Sequence, residues 1–102
     1  MPSKLRFHKD AVRTLEQLAS RSPKDYRIIS HKLKEFAEKG RGNAKQILPS
    51  LYRLRGGDWR IYFGRRGDEI LVTDLILRPQ AYRHDVVERA MRRLGMMMTE
   101  SV

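Results

Sequence analysis

Leu51-Tyr52-Arg53-Leu54-Arg55-Gly56-Gly57-Asp58-Trp59-Arg60-Ile61-Tyr62-Phe63-Gly64-Arg65-Arg66 reads as a β-hairpin. Two runs of alternating apolar and polar residues flank Gly56-Gly57, and Gly-Gly is a strong two-residue turn signal. With both glycines as the central turn residues, Arg55 stands opposite Asp58 and Leu54 opposite Trp59. Arg53 then stands opposite Arg60, and Tyr52 opposite Ile61. Tyr52, Leu54, Trp59, Ile61 and Phe63 share one face; Arg53, Arg55, Asp58, Arg60 and Tyr62 share the other. A slip by one residue would mix the two sets, so the alternation selects this register. Like charges directly opposite one another destabilise a sheet. A face that gathers Arg53, Arg55 and Arg60 around an aromatic is therefore read as a surface that meets an anion. The plainer alternative is a solvated basic face in an arginine-rich chain.

Downstream, residues 64–68 are read as a second turn. Residues 69–77 form the most apolar run, with Ile70, Leu71, Val72, Leu75, Ile76 and Leu77. That run predicts a central strand partly covered on both faces. Paired antiparallel to the Trp59 strand, its even-numbered positions share the arginine face. Asp74 and Arg78 then join Arg60, with Arg78 near the start of the Trp59 strand. Pro79 breaks the strand. Val86, Val87, Ala90, Met91 and Leu94 predict a last amphipathic helix, entered near residues 83–85 and ended by Gly95. Met96-Met97-Met98 and the residues to 102 are either a frayed tail or apolar surface that a partner covers.

Upstream, residues 4–7 fit a short strand or an extended lead-in. Ala11, Val12, Leu15, Leu18 and Ala19 mark one helix face. Ser22-Pro23, with Asp25 three residues past the serine, starts a second helix. Tyr26, Ile29, Leu33, Phe36 and Ala37 are its buried stripe, and Gly40 stops it. The tight connection makes the two helices an antiparallel hairpin. Residues 41–50, with Gly42, Asn43 and Pro49, read as a loop into the sheet. The fold class is α+β: two N-terminal helices packed on a small antiparallel sheet, with a C-terminal helix. Residues 1–102 are read as one domain.

The chain carries 22 Lys and Arg against 12 Asp and Glu, a formal charge of +10. Such a balance speaks of partners rather than fold, with nucleic acid ahead of an anionic membrane or an acidic protein. There is no cysteine, which excludes a disulfide framework and thiolate chemistry. The apolar runs are too short to cross a bilayer and no secretory signal is visible, so a cytoplasmic protein is expected.

Leu51-Tyr52-Arg53-Leu54-Arg55, then Gly57-Asp58-Trp59-Arg60-Ile61-Tyr62, then Arg78 and Tyr82 in an Arg-x-x-x-Tyr spacing, resemble the RelE/ParE superfamily of toxins from toxin–antitoxin pairs. The resemblance runs over most of the chain. It implies a small α+β toxin with an antiparallel sheet cradled by helices, bound by an antitoxin. The RelE branch cleaves messenger RNA in the ribosomal A site without metal. The ParE branch shares the fold, inhibits DNA gyrase and generally lacks the basic catalytic set. The RelE-type residues fall on Arg53, Arg55, Arg60, Arg78 and Tyr82. Well-known RelE members place lysines at the positions of Arg53 and Arg55. Arginine stays protonated and is a poor general base, although it grips phosphate bidentately.

Metal-free RNA cleavage uses the 2′-hydroxyl to attack the adjacent phosphorus, leaving a 2′,3′-cyclic phosphate. Guanidiniums stabilise the extra phosphoryl charge, and Tyr82 suits stacking on a splayed base. Either another group moves the proton, with His84, Asp58 and Asp74 as the candidates, or the hydroxyl is activated mainly by charge. Against these stand plainer roles: a surface or capping His84, an Asp58 paired with Arg55, and an Asp74 that neutralises Arg60. His8, His31 and His84 show no metal-ligand spacing with carboxylates, so no metal and no cofactor are expected. The implied partners are an acidic antitoxin and messenger RNA in the ribosomal A site, with DNA gyrase as the alternative; no membrane is expected.

Overall fold

The computed structural model describes residues 3–40 and 44–100. Its organising element is a five-stranded sheet in the order β1-β5-β4-β3-β2. β3 (Leu51–Gly56), β4 (Trp59–Arg66) and β5 (Glu69–Leu77) form an antiparallel meander. β1 (Lys4–Phe7) adds parallel to β5. The class is the expected α+β, with one parallel pair in an otherwise antiparallel sheet.

The hairpin keeps its expected faces in a different register. Gly56 pairs with Trp59, Arg55 with Arg60, Leu54 with Ile61, Arg53 with Tyr62 and Tyr52 with Phe63. The turn residues are therefore Gly57 and Asp58. Gly57 takes φ +61° and Gly67 of the next Gly-Asp turn takes +59°, as suits glycine in the first central position of a two-residue hairpin turn. Relative to the expected pairing each partner is displaced by two residues, which leaves every side chain on the same face. Alternation thus fixes the face, and the turn fixes the register.

Two further corrections concern β4 and β5. The second turn is only Gly67-Asp68, because β4 continues to Arg66. Gly64 lies inside β4, where a Cβ would sit 2.5 Å from Leu94 Cδ1. Its role is close approach of a helix, not a turn. The β4–β5 ladder also carries a bulge: Tyr62 pairs with Asp74 but Phe63 with Val72. An extra residue reverses the alternation. Asp74 shares the Tyr62 face as expected, whereas Ile70 and Val72 pack into the opposite core.

That opposite core is closed by α1 (Lys9–Arg21) and α2 (Pro23–Lys39). Ile29, Leu33 and Phe36 meet Leu54, Ile61, Phe63, Ile70, Val72 and Leu75. Val12 and Tyr26, expected in the buried stripes, are 40% and 37% exposed. Ser22 makes no side-chain cap. Asp25 accepts a hydrogen bond from Trp59 Nε1 at 3.2 Å, so it ties α2 to the sheet rather than completing a capping box. Gly40, with φ +65°, ends α2 as expected.

Residues 44–48, expected as loop, form β2 (Ala44–Leu48) against β3. The strand is short, exposed and carries Lys45, features of a protected sheet edge that local pattern does not reveal. Arg41, Gly42 and Asn43 lie outside the described residues.

The other sheet face is covered by α3 (Arg78–Ala81) and α4 (His84–Thr99). Leu51, Tyr62 and Leu71 meet Ala81, Val86, Ala90, Leu94 and Met97. β5 is covered on both sides, as its apolar run required. Gly95 does not end α4, which runs on so that Met97 is buried. The reason lies on β4: Arg66 Nη1 donates to the carbonyls of Met97, Met98 and Glu100 at 3.0, 3.2 and 3.0 Å. A guanidinium at a helix C-terminus satisfies carbonyls that have no partner within the helix. Residues 96–98 are thus helical, with Met96 and Met98 exposed and Met97 inside. Among the described residues no helix is long and apolar enough to cross a membrane.

Candidate functional site

β3 and β4 present Arg53 and Arg60 on the α3/α4 side of the sheet. The strand break at Arg78-Pro79 then folds the chain back over them through α3 and brings Tyr82 alongside. Arg78 N–H donates to the Asp58 carbonyl at 2.8 Å, which ties the start of α3 to the hairpin turn. Arg60 is buried at 6% exposure. Its Nε donates to the Tyr82 hydroxyl at 3.0 Å, and its Nη1 donates to the Gly57 and Trp59 carbonyls, both at 2.9 Å. Arg53 lies with Cζ 4.4 Å from the centre of the Tyr82 ring, a cation–π contact.

Tyr82 is the titratable centre of this group. The hydrogen bond from Arg60 is the main cause that holds its phenol below the ordinary value, and the charges of Arg60, Arg53 and Arg78 act in the same direction. Arginine can only donate, so a phenolate beside it is favoured over a phenol. The ring itself is 49% exposed. An open cleft of about 490 Å³ adjoins it, lined by Asp58, Leu77, Arg78, Pro79, Gln80 and Tyr82. With Arg53 over one side of the ring, one aromatic face is already occupied.

Four of the five residues expected to do chemistry, Arg53, Arg60, Arg78 and Tyr82, are thereby brought together. Arg55 is exposed on the same sheet face, directly across from Arg60. The three expected proton carriers fare differently. Asp58 is an exposed turn residue at the rim of the cleft, not opposite Arg55. Asp74 is 1% exposed and does not neutralise Arg60. It is held by Arg89 Nε at 3.0 Å and Arg93 Nη1 at 2.6 Å. Arg93 also reaches Asp10 at 2.5 Å, so ion pairs around the buried Asp74 join the start of α1 to α4 and β5. His84 opens α4 with its side chain 90% exposed and Nε2 2.5 Å from Glu88.

Sequence reasoning placed Tyr62 among the arginines but gave it no role. Its side chain is fully buried below the arginines, with the hydroxyl near Arg53 Nη1 at 3.3 Å. An aromatic on the otherwise polar face of the hairpin was the available signal. Among the described residues no three His, Asp or Glu side chains gather as a metal would require.

No protein-family model and no curated protein matches the sequence. Solved structures do match in fold. A chain of the archaeal RelE–RelB complex from Pyrococcus horikoshii OT3 superposes with a TM-score of 0.61 at 21% identity, over 79% of this chain and 100% of that one. The YoeB dimer from Staphylococcus aureus gives 0.62 at 16% identity, over 72% and 94%. A RelB–RelE antitoxin–toxin complex from Methanococcus jannaschii gives 0.52 at 24% identity, over 74% and 93%. The fold of this chain is RelE-like.

Proposed function

We propose that this chain, residues 1–102 acting as one domain, is the toxin of a toxin–antitoxin pair. Its proposed activity is metal-independent, ribosome-dependent cleavage of messenger RNA in the cytoplasm. The observation that carries the reading is the convergence of Arg53, Arg60 and Arg78 on Tyr82, on a fold shared with RelE and YoeB structures.

The substrate 2′-oxygen forms a bond to phosphorus while the bond from phosphorus to the 5′-oxygen breaks. One proton leaves the 2′-hydroxyl and one reaches the departing oxygen. Guanidiniums at Arg53 and Arg78 suit the growing charge on the phosphoryl oxygens, with exposed Arg55 as an outer phosphate contact. Arg60 spends Nε and Nη1 on Tyr82 and the turn, so its service to substrate is through Nη2 and through Tyr82. Tyr82 is favoured for the proton from the 2′-hydroxyl in its phenolate form, which the hydrogen bond from Arg60 and the charges of Arg60, Arg53 and Arg78 favour. That choice replaces Asp74, which is locked in its own ion pairs, and His84, which faces solvent. The antitoxin is proposed as an acidic, partly helical chain. Its natural footing is the flank of α4, where Arg89, Arg92, Arg93 and exposed Met96 line a cavity of about 540 Å³. No observation favours the gyrase-inhibiting alternative, which has no use for the cluster.

The test is expression in cells with transcript ends mapped. Growth arrest with cleaved messengers is expected, and Arg60→Ala with Arg78→Ala should abolish both while the fold persists. Intact messengers with inhibited DNA supercoiling would replace this reading by the gyrase one. Co-purification with the product of the neighbouring gene tests the partner.

A further inference from the structure

Tyr62 links the two halves of the cluster. Its hydroxyl donates to the Ala81 carbonyl at 2.5 Å and accepts from Arg53 Nη1 at 3.3 Å. Arginine cannot accept, so the single hydroxyl proton of Tyr62 is committed to Ala81. The polar chain therefore has one direction, from Arg53 through Tyr62 to Ala81. Ala81 is the last residue of α3 and directly precedes Tyr82. Tyr82 in turn lies under Arg53. Arg53, Tyr62, Ala81 and Tyr82 thus close a ring of contacts between strand and connection.

α3 has four residues, too few to hold a helix by themselves. Its position depends on its ties: Arg78 N–H to the Asp58 carbonyl at the start, and the Tyr62 hydroxyl to the Ala81 carbonyl at the end. The ring of Tyr62 packs in the core with Leu51, Leu71, Val86 and Leu94. Packing explains the ring. It does not explain an oxygen in that core, since a buried hydroxyl costs free energy unless it is bonded. Asp74, its cross-strand partner, is engaged by Arg89 and Arg93.

We propose that Tyr62 is a positioning residue: its hydroxyl sets where Tyr82 and Arg78 stand relative to Arg53 and Arg60. What the cluster does rests on the ribonuclease reading; where it stands does not. Tyr62→Phe in the full chain removes one oxygen and keeps the ring. The expected variant is folded, binds ribosomes as the parent does, and cleaves more slowly by on the order of 10²-fold, the scale of a 1 Å misplacement. Carbon-13 NMR of labelled tyrosine gives a readout that needs no RNA. In the parent, Tyr82 titrates below its ordinary value because Arg60, Arg53 and Arg78 face it. In Tyr62→Phe it should titrate higher. A folded variant with unchanged Tyr82 titration and unchanged cleavage overturns the proposal. A parent that cleaves nothing counts against the ribonuclease reading alone, and the titration still decides the role of Tyr62. Should Tyr62→Phe fail to fold, the Tyr62 hydroxyl proton of the parent decides: slow exchange with solvent is expected, and fast exchange overturns the proposal.

Discussion

Arg60 and Tyr82 are joined by a 3.0 Å hydrogen bond from a buried guanidinium to an exposed phenol. The bond connects β4 to the residue that follows α3, so the cluster exists only when the strand break at Pro79 turns the chain back. Arg60→Met should return the Tyr82 phenol upward toward 10.0, its ordinary value. The sign for stability follows. A depressed folded value favours the ionised form, so the fold gains from this group as pH rises past the folded value, in full above about 10. The same substitution removes the Nη1 bonds to two carbonyls and should cost roughly 1–3 kcal/mol at pH 7, read from urea unfolding.

Gly64 and Leu94 set how closely α4 lies on the sheet. In Gly64→Ala the new Cβ would stand 2.5 and 2.7 Å from the two Leu94 methyls and 3.0 Å from the Ser50 carbonyl. Overpacking of this kind costs about 1–3 kcal/mol. Leu94→Ala alone should cost about 2–5 kcal/mol through the cavity it leaves. The double variant should lose less than the sum, which a double-mutant cycle by urea unfolding measures.

His8 caps α1 by accepting the Asp10 N–H on Nδ1 at 3.1 Å. Only the neutral ring can accept there. Burial, with help from Arg93, holds its pKa below 6.5. The unfolded chain binds the proton more readily, so stability is full above about pH 6.5 and falls as pH drops through the folded value. His8→Asn keeps a capping acceptor and should flatten the stability difference between pH 7.5 and 5.5. An unchanged slope would mean that other groups carry it.

Arg66 holds the end of α4 from the sheet. In Arg66→Met the last turn should fray, and amide exchange at Met97, Met98 and Thr99 should accelerate while that at Ala90 stays slow. Met97 would then lose its buried place.

The hairpin faces were legible because alternation is strong over residues 52–63, and those faces plus Arg78 gathered the arginines; Tyr82 came only from the resemblance. The register was not, since Gly56-Gly57 and Gly57-Asp58 are both plausible turns and both preserve the faces. β2 escaped because its exposed residues carry no apolar period; its partner is β3, not its own pattern. The continuation of α4 past Gly95 depends on Arg66, distant in sequence. Asp74 was placed on the right face yet assigned the wrong arginine, because Arg89 and Arg93 reach it from a helix whose rotation no local pattern gives. The switch in β5 escaped because its extra residue, Thr73, sits in a bulge that the continuous apolar run does not mark.

The central claim is that Arg53, Arg60, Arg78 and Tyr82 form one phosphodiester-cleaving site on ribosome-bound messenger. Its most direct test is a purified translation reaction stalled with an open A site, to which the protein is added and the RNA ends are analysed. The account expects cleavage within the A-site codon, 2′,3′-cyclic phosphate on the upstream fragment, and loss of cutting by on the order of 10²-fold or more in Tyr82→Phe and Arg60→Met. Undiminished cutting in both variants, or RNA left whole by the parent on programmed ribosomes, would contradict it.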